Sequence, residues 1–419
     1  MTHEGKSDGP QPVPDQVSHA PSADEIVGAV AADVAPLESI AVAVVGLDRA
    51  RLVDWSVEPL AVGAAGNPTS GGLFRVSGHV VGGRGDVEGS DREPPVVPWS
   101  AVLKVVRSPV ETGHAFDRPT DAIYWRREAD VLTSHLLDDI AGMATPRCFG
   151  VVEPAPATVW MWFEDLGPID RAVWTEAEYE VAARAIARFH ARYLTGTPIP
   201  DVPWLNRDFL RGFHALCRPS FERLMNESRH ASDSYRGLRP ERAGPAIAAL
   251  EQVMLHADRL LAALDAVPQT LCHHDANTDN LLVRPGPDGA PQLVALDWQM
   301  LGPGPLGSDL GQLLCNLPAT GGVTPPADIE ATVLRAYRDE LTAAGVAIDL
   351  DTVRTAYAAD AALRQTAWAF LLLDLSIQAA EEAGDDGAVA DLVARFVETT
   401  TASHLPALAH LAAELIPTP

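Results

Sequence analysis

Residues 270–314, TLCHHDANTDNLLVRPGPDGAPQLVALDWQMLGPGPLGSDLGQLL, constrain this chain more than any other stretch, because they set two His, two Asn and several Asp among short apolar runs. Residues 271–274 lead into a polar turn at 275–280, and 281–283 leave it as a short strand. After the turn formers Pro285, Gly286, Asp288 and Gly289, a second apolar strand at 293–296 delivers Asp297 to the same neighbourhood. The carboxylates of Asp275 and Asp297 and the carboxamide of Asn280 therefore converge on adjacent strand ends. Hard oxygen donors in that arrangement suit Mg²⁺, which keeps several waters and takes one or two protein carboxylates alongside phosphate oxygens. The chemistry this favours is phosphoryl transfer.

The spacing of His273, Asp275 and Asn280 is H-x-D-x-x-x-x-N, with Asp297 where protein-kinase-like enzymes carry a second metal-binding Asp. An Asp in a turn is ordinarily just a turn former, so the weight lies on the combined pattern. With a loop that begins His-x-Asp and the pair Asp297-Trp298 after it, the chain resembles the aminoglycoside phosphotransferase and choline kinase family. The resemblance implies an α+β, bilobal protein-kinase-like fold with a small, mostly β N-lobe and a large, mostly helical C-lobe. It also implies ATP and Mg²⁺ as cofactors. Asp275 would orient the acceptor hydroxyl and take its proton, His273 would brace the catalytic loop, and Asn280 and Asp297 would hold the metal. Asp309, at the start of a helix in GSDLGQLL, reads locally as an N-cap. The resemblance gives it a second role, steadying the loop.

The upstream sequence fits a nucleotide-binding lobe once that resemblance is in view. Glycines 63, 66, 71 and 72 precede an alternating strand at 73–81, and such a hairpin lets backbone N–H groups approach phosphate closely. Without a G-x-G-x-x-G it is, taken alone, an ordinary hairpin; the cofactor-binding candidates in it are Gly71 and Gly72. Lys104 sits in an apolar strand at 101–106, where a Lys alone reads as solvent-facing. By resemblance it binds the α- and β-phosphates, with Glu128 of a helix at 120–137 as its partner and Asp130 or Glu111 as alternatives. Strands at 146–152 and 158–163 lead to Glu164, Asp165 and Leu166, the implied hinge whose backbone reads the adenine edge.

The expected division is a disordered tail (1–23), a nucleotide-binding lobe (24–163), a hinge (164–167) and a helical lobe carrying the catalytic loop and acceptor site (168–419). Helices are expected at 24–34, 176–193, 207–226, 246–264, 326–344, 351–383 and 387–413. The tail is rich in Pro, Ser and Gly and has no apolar signal-peptide core, and no apolar run reaches the length of a membrane span. Cys148, Cys217, Cys272 and Cys315 lack CxxC spacing and read as reduced thiols, which suits a cytoplasmic protein.

A net charge of −26, from 31 basic and 57 acidic residues, disfavours nucleic acid and anionic membranes and attracts cations. The expected partner is a small-molecule hydroxyl acceptor of aminoglycoside, amino alcohol or sugar type. One expectation is a cationic acceptor, its amine held by acids such as Asp374 and Glu381 on a late helix. Two other readings stand beside it: phosphorylation of Ser or Thr in a peptide, and a catalytically silent nucleotide-binding scaffold. The intact set Lys104, Asp275, Asn280 and Asp297 argues against silence. Trp298 and Gln299, in place of Phe and Gly, and the lack of an A-P-E segment argue against a regulatory protein kinase.

Overall fold

A computed structural model describes residues 22–47, 50–60, 69–82, 95–109, 116–169, 174–230, 233–315, 327–403 and 405–414. They fall into two compact units. The first takes the described residues up to Arg118, then Tyr124–Thr133 and Pro146–Gly167; the second takes Pro119–Ile123, Ser134–Thr145 and the described residues from Pro168 onward.

The chain begins with helices α1 (Ala23–Ala32) and α2 (Ala35–Val45) and strands β1 (Ala50–Pro59), β2 (Ser70–Gly82) and β3 (Val96–Arg107). Helix α3 (Arg127–Thr133) follows, then β4 (Met143–Ala144), which belongs to the second unit, and β5 (Cys148–Ala155) and β6 (Thr158–Glu164), which return to the first. The first unit is an antiparallel sheet in the order β1-β2-β3-β6-β5. Along β3, Trp99, Ala101, Leu103 and Val105 alternate onto the buried face, where they pack with Ile26, Val30, Leu37 and Ile40 of the two helices. Ser22 starts α1 through a capping box with Glu25, and left-handed Gly46 ends α2.

Sequence reading missed α2 and placed several boundaries differently. Strand β2 starts at Ser70 rather than at residue 73, across a register shift between Ser70 and Gly72. The helix expected over 120–137 shrinks to Arg127–Thr133. Before it, the Trp125 amide bonds back to the Phe116 carbonyl and its indole N–H reaches Asp117 at 3.0 Å, so those residues form turns. Gly63, Gly66 and Glu111 lie outside the described residues, as do residues 1–21 of the expected tail.

The second unit is mainly helical: α4 (Glu176–Leu194), α5 (Phe209–His230), α6 (Pro240–Leu255) and α7 (Ala257–Asp265) precede strands β7 (Gln269–Cys272), β8 (Leu281–Pro285), β9 (Pro291–Ala295) and β10 (Gly302–Pro305). Helices α8 (Ser308–Leu314), α9 (Ala327–Ala343), α10 (Leu350–Glu382), α11 (Asp386–Ala402) and α12 (Leu405–Ala413) complete it. Strands β8 and β9 form the antiparallel hairpin that carries Asn280 and Asp297 at its ends, β4 extends it in parallel, and β7 pairs with β10. The expected helix at 246–264 is two helices meeting at His256, and that at 387–413 breaks at extended Ser403. Helix α10 is buried along most of its length, from Val353 to Ile377, and is the spine around which α5, α8 and α12 pack. Among the described residues no single helix is long and apolar enough to cross a membrane.

Candidate active site

The candidate catalytic loop runs from the end of β7 to the start of β8. Its hydrogen bonds begin with Asp309, whose carboxylate accepts from the backbone N–H of His273 at 2.9 Å and of His274 at 2.7 Å. The helix cap expected at Asp309 is instead left-handed Gly307, and Asp309 lies within α8 with its side chain turned to the loop. His190 of α4 joins the same carboxylate at 3.0 Å, and its other ring nitrogen meets the Tyr337 hydroxyl of α9 at 2.6 Å. The Gly307 N–H donates to that hydroxyl at 3.2 Å. The chain is satisfied when the Tyr337 hydroxyl donates to Nδ1 and Nε2–H donates to Asp309. Burial pushes the Asp309 carboxyl up, but the hydrogen bond from His190 outweighs it and holds the group well below the usual carboxylate range.

His273 is committed at both ring nitrogens. Nδ1 accepts from the Asp275 N–H at 3.1 Å, so Nε2 carries the proton and donates to the Leu296 carbonyl at 2.8 Å. This ties the loop to the residue preceding Asp297, with no ring atom left for proton exchange. His274 stacks on Phe209 with centroids 4.4 Å apart, and burial drives its pKa down to about 4. His274 and Asp297 have φ of 62° and 58°, left-handed values that non-glycine residues adopt only when their surroundings hold them there. Gly304 makes room for the His274 ring, since a Cβ there would come within 2.5 Å of Cε1.

Asn280 donates from Nδ2 to the Asp275 carboxylate at 2.8 Å and to its backbone carbonyl at 3.0 Å. With the amide nitrogen so used, the Asn280 carbonyl oxygen is the atom of this side chain that a ligand could meet, a hard donor of the kind Mg²⁺ takes. Asp297 lies close enough to raise the pKa of Asp275, where burial is the largest influence, Arg364 pulls the other way, and the net shift is upward. The loop, Asn280 and Asp297 are thus brought together within the second unit.

In the first unit, Lys104 Nζ meets Glu128 Oε2 at 2.6 Å, with the carboxylate side chain only 4% exposed. Asp130, the alternative partner, pairs with Arg126 at 3.2 Å. Gly71 owes its lack of a side chain to the sheet: a Cβ would sit 2.5 Å from Val105, while Gly72 takes φ 109° at the register shift. Glu164 ends β6, and its carboxylate accepts from the Arg147 N–H at 3.3 Å. The Asp165 carboxylate is taken up by Arg75 Nε at 2.8 Å, Ser100 Oγ at 2.5 Å and the Gly167 N–H at 2.9 Å. Its side chain therefore fixes the end of the sheet, and half-buried Leu166 follows outside any strand or helix.

The acids expected to hold an acceptor amine are otherwise engaged. Asp374 is buried against Arg223 and takes the Gln378 amide at 2.8 Å; Glu381 meets Arg223 at 3.5 Å and the Tyr235 hydroxyl; Asp385 caps α11. The protein's own guanidinium fills the place given there to a ligand. Sequence reading missed His190, Tyr337, Asp360 and Arg364, all distant in sequence from the loop. A His amid the apolar face of α4 was the one available signal, and nothing in the periodicity of α10 sets Arg364 apart.

A family model described as the phosphotransferase enzyme family matches residues 98–348. No curated protein matches the chain. Among solved structures it is similar to a choline kinase from Cryptosporidium parvum Iowa II, at 13% identity and a TM-score of 0.49, covering 94% of this chain and 100% of that one. It is also similar to a putative aminoglycoside phosphotransferase from Ralstonia eutropha JMP134 (16% identity, TM-score 0.48, 91% and 98% covered). An ethanolamine kinase from Plasmodium vivax is a third such structure, with 12% identity, a TM-score of 0.45 and 85% and 83% covered.

Proposed function

Because this chain belongs to the phosphotransferase enzyme family, whose reaction delivers a phosphoryl group to a hydroxyl, we propose that it moves the γ-phosphate of ATP to a small-molecule alcohol of aminoglycoside, amino alcohol or sugar type. The observation that carries this is the pair of hydrogen bonds from Asn280 to Asp275, which leaves a carboxylate and an amide oxygen displayed together on a loop clamped by Asp309. That donor set fits Mg²⁺, with Asn280 and Asp297 as its protein ligands; bound there, the ion would neutralise charge on the β- and γ-phosphates.

Asp275 orients the acceptor hydroxyl and receives its proton. As the O–H bond breaks, the acceptor oxygen bonds to the γ-phosphorus, and the bond from phosphorus to the bridging oxygen breaks with its electron pair leaving on ADP. His273 and Asp309 fix the loop so that little reorganisation accompanies the step. Lys104, with its charge set by Glu128, binds the α- and β-phosphates. Asp374 and Glu381 are not the acceptor's ligands, since Arg223 already holds both.

The test is transfer from γ-labelled ATP with Mg²⁺ to a panel of polyols, amino alcohols, aminoglycosides and Ser/Thr peptides, run beside Asp275→Asn. Label appearing on a small molecule and lost in the variant supports the reading. Label on peptides alone, or on nothing, replaces it with the peptide-kinase or the scaffold reading respectively.

A further inference from the structure

Arg364, on α10, is the residue beside the catalytic carboxylate that neither motif nor spacing points to. Its side chain is 6% exposed, and its guanidinium carbon lies 5.0 Å from the ring centre of Phe209 and 5.6 Å from that of Phe213. Nη2 reaches Asp275 Oδ1 at 3.3 Å and Met300 Sδ at 3.3 Å. Burying a guanidinium is costly, and where the only need is to fill space an apolar side chain does so at least as well. The two aromatic rings instead hold the plane of a cation against one oxygen of one carboxylate.

The donors around Asp275 are unevenly divided. Among the described residues, Oδ1 takes Asn277 Nδ2 at 3.2 Å as well as Arg364, whereas Oδ2 takes only Asn280 Nδ2, at 2.8 Å. A carboxylate oxygen offers about two lone-pair directions, so Oδ1 is filled and Oδ2 keeps one open. Resting on the phosphotransferase reading above, we infer that Arg364 is a positioning residue: by occupying Oδ1 it fixes the Asp275 carboxylate so that Oδ2 is the atom that takes the acceptor's proton. Asp309 adds negative charge that keeps the guanidinium in place.

The experiment needs no acceptor to be known, because water serves as the probe. Phosphate release from Mg·ATP is measured for the wild type, Arg364→Leu, Arg364→Gln, Arg364→Lys, Asp275→Asn and the Asp275→Asn/Arg364→Leu double variant. Arg364→Leu should lower turnover about tenfold to a hundredfold with KM for ATP changed by less than about twofold, and Arg364→Lys should recover part of the loss. The double variant should be no slower than Asp275→Asn alone, since the arginine acts through that carboxylate. A double variant slower in proportion to both single losses, or an Arg364→Leu enzyme within about twofold of wild type, overturns the proposal. Should Arg364→Leu not fold, Arg364→Gln, alone and combined with Asp275→Asn, carries the same comparison. If wild-type hydrolysis does not depend on Asp275, the phosphotransferase assignment of that residue fails separately. The crystal structure of Arg364→Gln then decides the positioning, a rotated Asp275 carboxylate supporting it and an unmoved one refuting it.

Discussion

The Asn280 amide nitrogen holds Asp275 by two separate atoms, the carboxylate Oδ2 at 2.8 Å and the main-chain carbonyl at 3.0 Å. The orientation of the proposed proton acceptor is therefore set by the residue that would also present the metal's amide ligand. Replacing Asp275 with Asn preserves size and most of this bonding but removes the anion. Transfer should fall on the order of a hundredfold or more, with nucleotide affinity and melting temperature nearly unchanged. Kinetics and calorimetry on Asp275→Asn check it, and retention of most activity would exclude Asp275 as the base.

Asp297→Ala removes a carboxylate from the same cluster without touching the bond between Asn280 and Asp275. The Mg²⁺ concentration giving half-maximal activity should rise on the order of tenfold or more. A titration with unchanged metal dependence would take Asp297 out of the metal site.

Lys104→Met takes away from the nearly buried Glu128 carboxylate the ammonium that meets it at 2.6 Å. Stability should drop by about 3 kcal/mol, and ATP should bind more weakly. Adding Glu128→Leu should restore much of the stability and none of the affinity, because the second change removes the buried charge but returns nothing to the phosphates. Recovery of both would make the pair purely structural.

Asp360 is buried, accepts from Ser308 Oγ at 2.8 Å, and has its pKa lifted to about 7, chiefly by burial. Its folded value lies above its unfolded one, so the native state binds the extra proton and this group's contribution to stability is lost as pH rises from about 4 toward 7. Asp360→Asn lacks that loss. Urea unfolding of variant and wild type across this range should show the variant gaining on the wild type by up to about 4 kcal/mol as pH rises. A difference that stays constant with pH would mean that Asp360 is ionised throughout.

Removing residues 1–21 leaves the Ser22 cap of α1, whose hydroxyl accepts from the Glu25 N–H at 3.2 Å and whose own N–H donates to the Glu25 carboxylate at 2.7 Å. Removing residues 1–23 deletes that cap. The longer truncation should be less stable than the shorter by about 1 kcal/mol, read by thermal melting of the two proteins side by side. Equal melting temperatures would show the cap to be dispensable.

The α+β character and the catalytic loop were legible because both are written locally: alternation in β3, helical periodicity in α4 and α9, and a loop whose ligands lie within a few residues of one another. Lys104 and Glu128 were legible as a pair only through resemblance, yet the structure joins them. What stayed hidden depends on long-range packing. Arg364 reaches Asp275 across 89 residues, and His190 reaches Asp309 across 119. The late acids Asp374 and Glu381 misled for the same reason, since their partner Arg223 sits on α5. Boundaries failed where a side chain overrode periodicity, as the Trp125 to Asp117 bond does before α3.

The imidazole of His273 spans from the Asp275 amide to the Leu296 carbonyl, and the Leu296 amide returns a bond to the Asn280 carbonyl at 2.8 Å. The proposed base and the proposed metal ligands are consequently parts of a single cross-tied frame rather than separate fixtures. Drift in one strand end is transmitted to the other, so substitutions that re-aim this loop are tolerable mainly in combination. New acceptor specificities in such a chain should accumulate on the helices around the frame, while the frame itself changes in coordinated steps or not at all.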